Sequence, residues 1–318
     1  MTPVFIFSLP RSGSTLLQRK LSQHSEISTV PEPWILLPLL SIFRDEGIYA
    51  DYGHSLFRRA MNDLESHLPA HSRTIEHALR NFALNIYSKA SASESKFFID
   101  KTPRYHIISH HIIKIFSQAK FIFLWRNPLS IVASIVQTWG NGRWALYRYK
   151  LDLYKGLRAL INSYKKHKDR SIAVRFEDLV TNGSEAWSKI YHYLGIDPSE
   201  VKTSGEIDAI EGAMGDPSQK KYKSLSAEPL HKWKNSLNNP VRKVWLQKYL
   251  SWIGREDLSM MGYDIGILKK ELNENDNKLE YIASDIIYTI ANILHSVIDH
   301  YSLKDKIKMD WTNIVAHN

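Results

Sequence analysis

The sequence predicts a three-layer α/β fold with a mostly parallel central sheet flanked by helices. Two observations carry this. Short β-rich runs, apolar on both faces, alternate with longer segments whose apolar residues recur at three- and four-residue steps, the pattern of strand–helix units around a parallel sheet. A chain of 318 residues, 43% hydrophobic, also buries one large domain without requiring a second.

The expected strands are Val4 to Leu9, Phe97 to Asp100, Lys120 to Trp125 and Ser171 to Phe176. The expected helices are Ser14 to His24, Ile75 to Ala90, Tyr105 to Ser117, Pro128 to Trp139 and Arg143 to His167. From Gly205 to Pro240 the chain is rich in Gly, Ser, Lys and Pro with little periodicity, so a long loop with a functional role or disorder is expected. After Gly266 a charged stretch, Lys269 to Glu280, leads to Ile282, Ile286, Ile290, Ile293, Val297 and Tyr301 on one helical face. The domain is therefore expected over residues 1–265, with a charged linker and helical extension over 266–318. The apolar stripe is read as packing on the domain or on a second subunit, as in a homodimer, in preference to binding a membrane surface.

A net charge of +9 points to an anionic ligand, polymer or surface. The lysines and arginines are spread over the chain and form no nucleic-acid motif, so no nucleic-acid partner is expected. The absence of cysteine excludes disulfides, thiolate zinc sites and cysteine nucleophiles. The N-terminal apolar run lacks a basic flank and is too short for a signal peptide, and no stretch is long enough to span a bilayer. A cytoplasmic protein is expected.

The first expected strand runs straight into Pro10-Arg11-Ser12-Gly13-Ser14-Thr15 and then a helix. Unpaired N–H groups at a helix start, aided by the dipole, form an anion cradle. Gly13 allows close backbone approach, Ser14 and Thr15 add hydroxyls, and Arg11 can fork onto phosphate oxygens. Capping by Ser12 or Ser14 explains the same loop without a ligand. The loop lacks the Gly-Lys-Ser/Thr of nucleotide kinases, which disfavours the competing reading, a P-loop phosphotransferase using ATP. A transferring sulfuryl group carries less negative charge than a terminal phosphoryl group and does without a divalent metal, so no metal is expected.

A second anion site is expected where Lys120 to Trp125 ends in Arg126-Asn127-Pro128, an N-cap residue followed by a proline suited to the first helical position. Arg126 falls at the carboxyl end of a strand, where open α/β sheets bind ligands, and from geometry Ser130 and Ser134 compete to share its phosphate. Glu32, in Thr29-Val30-Pro31-Glu32-Pro33-Trp34, is a candidate base on a loop stiffened by two prolines, or else a surface glutamate. Lys101, in Phe98-Ile99-Asp100-Lys101-Thr102-Pro103-Arg104, follows the second expected strand and is a candidate for stabilising a leaving oxygen, or else a solvated lysine.

Taken together, Pro10 to Leu17, the pair Arg126 and Ser134, and Glu32 with Lys101 between them resemble the sulfotransferases that use 3′-phosphoadenosine-5′-phosphosulfate (PAPS). The branch most similar contains the tyrosylprotein and many bacterial sulfotransferases. The resemblance covers residues 4 to 195 well and 205 to 240 loosely. It implies a P-loop-like fold, PAPS as sulfuryl donor and a hydroxyl acceptor. It further implies that Arg11 to Thr15 hold the 5′-phosphosulfate, that Arg126 and Ser134 hold the 3′-phosphate, and that Glu32 is the base and Lys101 lies beside the sulfuryl group. Phe176 stands where the family often carries an aromatic residue for the adenine, and Leu230-His231-Lys232-Trp233 resembles a segment that makes Lys232 and, more weakly, Ser218 donor-phosphate ligands. Arg104 and Tyr105 are placed on the acceptor side. Trp139, Trp144, Tyr147, Arg148 and Tyr149 read as a core helix seam, or else a sugar platform. His110 and His111 lack metal-triad spacing. The acceptor is expected to be a carbohydrate or glycolipid hydroxyl, ahead of a peptide tyrosine.

Overall fold

The structure, a computed structural model, describes residues 1–45, 47–48, 50–69, 73–201, 207, 209–212 and 224–297, the last six by backbone alone. In chain order the elements are β1 (Thr2–Phe7), α1 (Ser14–Leu21), β2 (Ile27–Thr29), α2 (Leu36–Leu40), α3 (His54–Ser66), α4 (Thr74–Ala90), β3 (Phe97–Asp100), α5 (Ser109–Ile115), β4 (Lys120–Trp125), α6 (Pro128–Thr138), α7 (Leu157–His167), β5 (Ser171–Arg175), α8 (Phe176–Thr181) and α9 (Gly183–Leu194). They continue with α10 (Trp233–Ser236), α11 (Pro240–Ile253), α12 (Arg255–Met260), α13 (Ile265–Glu274) and α14 (Ile282–Val297).

Five strands form one parallel sheet in the order β2-β3-β1-β4-β5. Because successive strand residues point to opposite faces, β1 divides its side chains between two cores. Phe5 and Phe7 join Phe98, Phe121 and Phe123 on an aromatic face covered by α4 to α7 and α11. Val4 and Ile6 join Ile99, Ile122 and Leu124 on an aliphatic face covered by α1, α8 and α9. This is the three-layer α/β arrangement that the buried runs predict, and the P-loop-like fold that the resemblance implies. The carboxyl ends of β1, β3 and β4 share one edge, and β1 has β3 on one side and β4 on the other, so a crevice opens above it.

Two expected helices are interrupted. Tyr105 to Ser117 divides into a 3₁₀ turn, Pro103–Ile107, and α5. Arg143 to His167 divides into a 3₁₀ turn Leu146–Tyr149, a π turn Leu151–Gly156 and α7. Gly156 has the His106 ring where a Cβ would stand, at 2.6 Å, and Asp152 of the same π turn faces fully inward. The short edge strand β2 was not expected, because three residues carry no readable period.

After Gly266, α13 buries Leu268 and Leu272. In α14 the inward residue is Asp285, whose carboxylate accepts from Arg242 Nε at 2.6 Å, Arg242 Nη2 at 3.0 Å and Asn239 Nδ2 at 2.7 Å. Ile286, Ile287 and Ile290 face outward. The side chains of Ile293 and Val297, and all of Tyr301, lie outside the described residues. No helix among the described residues is long and apolar enough to cross a membrane.

Candidate active site

The loop after β1 makes a left-handed step twice, at Arg11 (φ 67°) and Gly13 (φ 89°). Gly13 is required by packing as well as conformation, since a Cβ there would lie 2.2 Å from Cδ2 of Phe176. Gly13 is the N-cap of α1, and no side chain caps the helix, so the first-turn N–H groups and the positive dipole end are presented to the crevice. Beside them the Ser12 hydroxyl is buried without a hydrogen-bond partner among the described residues. Capping by Ser12 or Ser14 does not occur. The loop thus offers unsatisfied donors of the kind that can receive an anion.

Three cations converge here. Arg11 Nε donates to Ser134 Oγ at 3.1 Å and Nη2 to Thr138 Oγ1 at 3.4 Å, while its guanidinium lies 5.9 Å over Trp139. Arg126 Nη1 donates to the Arg11 carbonyl at 2.8 Å and Nη2 to the Pro229 carbonyl at 3.4 Å. Lys101 Nζ donates to Thr15 Oγ1 at 3.3 Å. Of the two serines that spacing left open, Ser134 meets Arg11 and Ser130 is buried within α6. Phe176 is nearly buried, packed against Gly13 and 4.6 Å beneath the Arg126 guanidinium, so its ring is a wedge under the loop and not an open platform.

Glu32 and Lys101 meet directly. Lys101 Nζ donates to Glu32 Oε1 at 2.7 Å, and the lysine side chain is only 1% exposed. A buried ammonium requires such a partner. Glu32 Oε2 accepts from the indole N–H of Trp34 at 3.2 Å. Trp34 sits at φ 57° and is 37% exposed, and its backbone N–H donates to Thr102 Oγ1 at 3.4 Å. Tyr105 is not on the acceptor surface: its hydroxyl accepts from Leu36 N–H at 3.1 Å and donates to Asp100 Oδ2 at 3.0 Å inside the core. Asp100 also accepts from Tyr87 at 2.5 Å and Thr102 at 3.2 Å, and burial pushes its carboxyl up to about 7.

The segment after β5 reaches this site at three described points. The Arg19 guanidinium donates to the Ile207 carbonyl, a Cβ on Gly212 would fall 2.4 Å from Pro31, and Pro229 meets Arg126. Lys232 is exposed and paired with Glu228 at 2.8 Å; Ser218 lies outside the described residues. Trp144 belongs to the core, as a helix seam requires, but Trp139 is exposed and stacks on Tyr149 at 5.3 Å. His110 faces His167 at 3.2 Å, and no group of three or more metal-ligating side chains gathers among the described residues.

The site also holds residues the sequence did not single out: Trp34 on Glu32, Thr138 on Arg11, and the buried pair His106 and Asp152, joined at 2.7 Å. Trp34 had a visible signal, being two residues from the candidate base. His106 and Asp152, 46 apart, had none.

A model described as "Sulfotransferase family" matches residues 3–200, and the chain belongs to that family. Nodulation protein NoeE of Sinorhizobium fredii is 28% identical over 287 residues, covering 82% of this chain and 65% of that protein. Protein-tyrosine sulfotransferase of Drosophila melanogaster is 22% identical over 282 residues, covering 83% of this chain and 52% of that protein. The chain thus spans between half and two thirds of these relatives' length. Among solved structures, the sulfotransferase domain from the curacin biosynthetic pathway superposes with a TM-score of 0.55 at 22% identity, covering 83% of this chain and 98% of that one. The sulfotransferase domain from the Synechococcus PCC 7002 olefin synthase gives 0.53 at 21% identity, covering 83% and 95%. Both have this fold.

Proposed function

We propose that the chain is a sulfotransferase that moves the sulfuryl group of PAPS in line onto an acceptor hydroxyl. The observation that carries this is the contact of Lys101 with both Glu32 and Thr15, which joins a carboxylate, an ammonium and the uncapped start of α1 in one crevice. The buried Ser12 hydroxyl and the close packing at Gly13 fit a ligand that presents anionic oxygens to backbone N–H groups.

When bound, PAPS supplies an activated sulfuryl group on an anionic leaving phosphate. The N–H groups of Gly13, Ser14 and Thr15, with the Arg11 guanidinium, bind the 5′-phosphosulfate. Arg126 and Ser134 bind the 3′-phosphate, with Lys232 at the outer edge. Phe176 supports Arg126 from below and borders the adenine. Glu32 accepts the proton of the acceptor hydroxyl, and Lys101 donates to the leaving oxygen as negative charge grows there. No divalent ion is invoked: Arg11 and Lys101 flank the transferring group, and Arg126 neutralises the 3′-phosphate.

The acceptor proposed is a carbohydrate hydroxyl, supported by the exposed rings of Trp34 and Trp139, the latter stacked on the half-buried Tyr149. A peptide tyrosine, the acceptor named for the Drosophila relative, stands behind it. A homodimer through the outward isoleucines of α14 belongs to the same reading; light scattering that finds only monomer, unchanged by Ile290→Glu, sinks it.

Calorimetry tests the donor. Adenosine 3′,5′-bisphosphate is expected to bind without metal, and binding of ATP with magnesium alone overturns the reading in favour of a phosphotransferase. Glu32→Gln is expected to lower transfer by about 10²- to 10⁴-fold while the bisphosphate still binds.

A further inference from the structure

We propose that Arg104 is a specificity-determining residue, held at the acceptor rim by the buried Asp152–His106 pair so that its terminal nitrogens receive an oxyanion borne by the acceptor sugar. The inference rests on the sulfotransferase reading and narrows its substrate to anionic saccharides, uronates or sulfated sugars.

Arg104 lies three residues beyond Lys101, on the 3₁₀ turn Pro103–Ile107. That turn is stitched to the Glu32 loop by Thr102 on Trp34 and Tyr105 on Leu36, so Arg104 stands on the segment flanking the candidate base. Its neighbours Tyr105 and His106 point into the core, whereas its own side chain is 34% exposed.

The guanidinium is gripped at one point. Arg104 Nε lies 3.1 Å from Asp152 Oδ1, and the same oxygen accepts from His106 Nε2 at 2.7 Å. Burial holds His106 below its ordinary range, so the ring is neutral, donates from Nε2 and leaves the Asp152 charge to Arg104. An arginine serving only to neutralise a buried aspartate makes a two-pronged contact. Here Asp152 Oδ2 makes no hydrogen bond among the described residues, so the pair meets through Oδ1 and the rest of the planar fork is left for another oxyanion.

The surroundings favour an anion over a neutral hydroxyl. Tyr149 stacks on Trp139, over which Arg11 sits, and the 3₁₀ turn that carries Tyr149 packs against the π turn that carries Asp152. From the donor loop the two rings lead to the π turn, which in turn packs on the 3₁₀ turn that carries Arg104, and exposed Arg148 adds a second guanidinium beside Tyr149. A sugar ring lying on the aromatic pair brings a carboxylate or sulfate ester to the fork.

Titration calorimetry with methyl glucuronide, methyl glucoside 6-sulfate and methyl glucoside, each with and without saturating adenosine 3′,5′-bisphosphate, tests this. The anionic glycosides are expected to bind the wild type at least about tenfold more tightly than the neutral one. Arg104→Met is expected to abolish the difference and Arg104→Lys to keep part of it, with Asp152→Asn intermediate; bisphosphate affinity stays at the wild-type value in all three. Whichever anionic probe binds more tightly identifies carboxylate or sulfate. Equal binding of charged and neutral glycosides by the wild type, no binding at millimolar concentration, or a preference that survives Arg104→Met overturns the inference. Failure of the donor reading shows separately, as absent bisphosphate binding in the wild type.

Discussion

The two strand-to-helix turns at the carboxyl edge of the sheet are finished in opposite ways. After β1, Gly13 leaves the start of α1 uncapped. After β4, Asn127 closes α6 by accepting from Leu129 N–H at 2.9 Å, and its own N–H is taken by Glu177 Oε1 at 2.9 Å. The open turn keeps backbone donors for a ligand. The closed turn contributes through a side chain instead, Arg126, which reaches back to the carbonyl of Arg11. One edge therefore holds an uncapped helix start and a side-chain cation, and only the first depends on an unsatisfied helix end.

Substitutions break or sharpen this contrast. The largest effect is expected at Lys101, the cation of the open side: Lys101→Met should reduce turnover by about 10²- to 10³-fold at saturating substrate, and single-turnover rates check it. Gly13→Ala forces both a left-handed alanine and a collision with Phe176, so a loss of about 3 kcal/mol in denaturant-measured stability is expected, with weaker bisphosphate binding. Unchanged stability there would mean that the loop is free to move.

The floor beneath Lys101 responds to pH. Asp100 is raised from its ordinary 3.8 to about 7 by burial, so between those values the folded state holds a proton the unfolded chain has released. Its contribution is fully present below about pH 4 and is lost as pH rises through 7, by at most about 4 kcal/mol. Asp100→Asn should flatten that slope in stability curves taken from pH 4 to 8. The smallest effect belongs to the closed turn: Asn127→Ala removes a cap and should cost about 1 kcal/mol, leaving bisphosphate affinity within about twofold of wild type. A large drop in affinity would instead make Asn127 part of the cradle.

The same contrast separates what the sequence disclosed from what it hid. Arg11 to Thr15 and Asn127-Pro128 are contiguous, and local chemistry fixes their geometry, so both turns were legible. Lys120 to Trp125 was legible for a related reason, since a strand buried on both faces is apolar throughout. The meeting of Glu32 with Lys101, 69 residues apart, needed the family resemblance as well as the strand pattern. Nothing local announces that Asp152 turns inward to His106, or that a π turn replaces the helix around it. On α14 the isoleucine stripe was read as packing on the domain or on a second subunit; Arg242 and Asn239 capture Asp285, so the helix meets the domain through that carboxylate while Ile286, Ile287 and Ile290 face outward. Periodicity measures the average preference of a face, and the buried ion pair that orients this helix left no period to read.

The pairing of Lys101 with Glu32 bears on the order of events in turnover. While the ammonium holds Oε1 and the Trp34 indole holds Oε2, the carboxylate is a masked base. Under the proposed donor and base assignments, an anion arriving at the open turn would compete for the ammonium and free one oxygen for the incoming hydroxyl. The expected kinetic signature is compulsory-order addition, donor first, read from product-inhibition patterns; random addition, or the acceptor entering first, would show that the mask has no such effect.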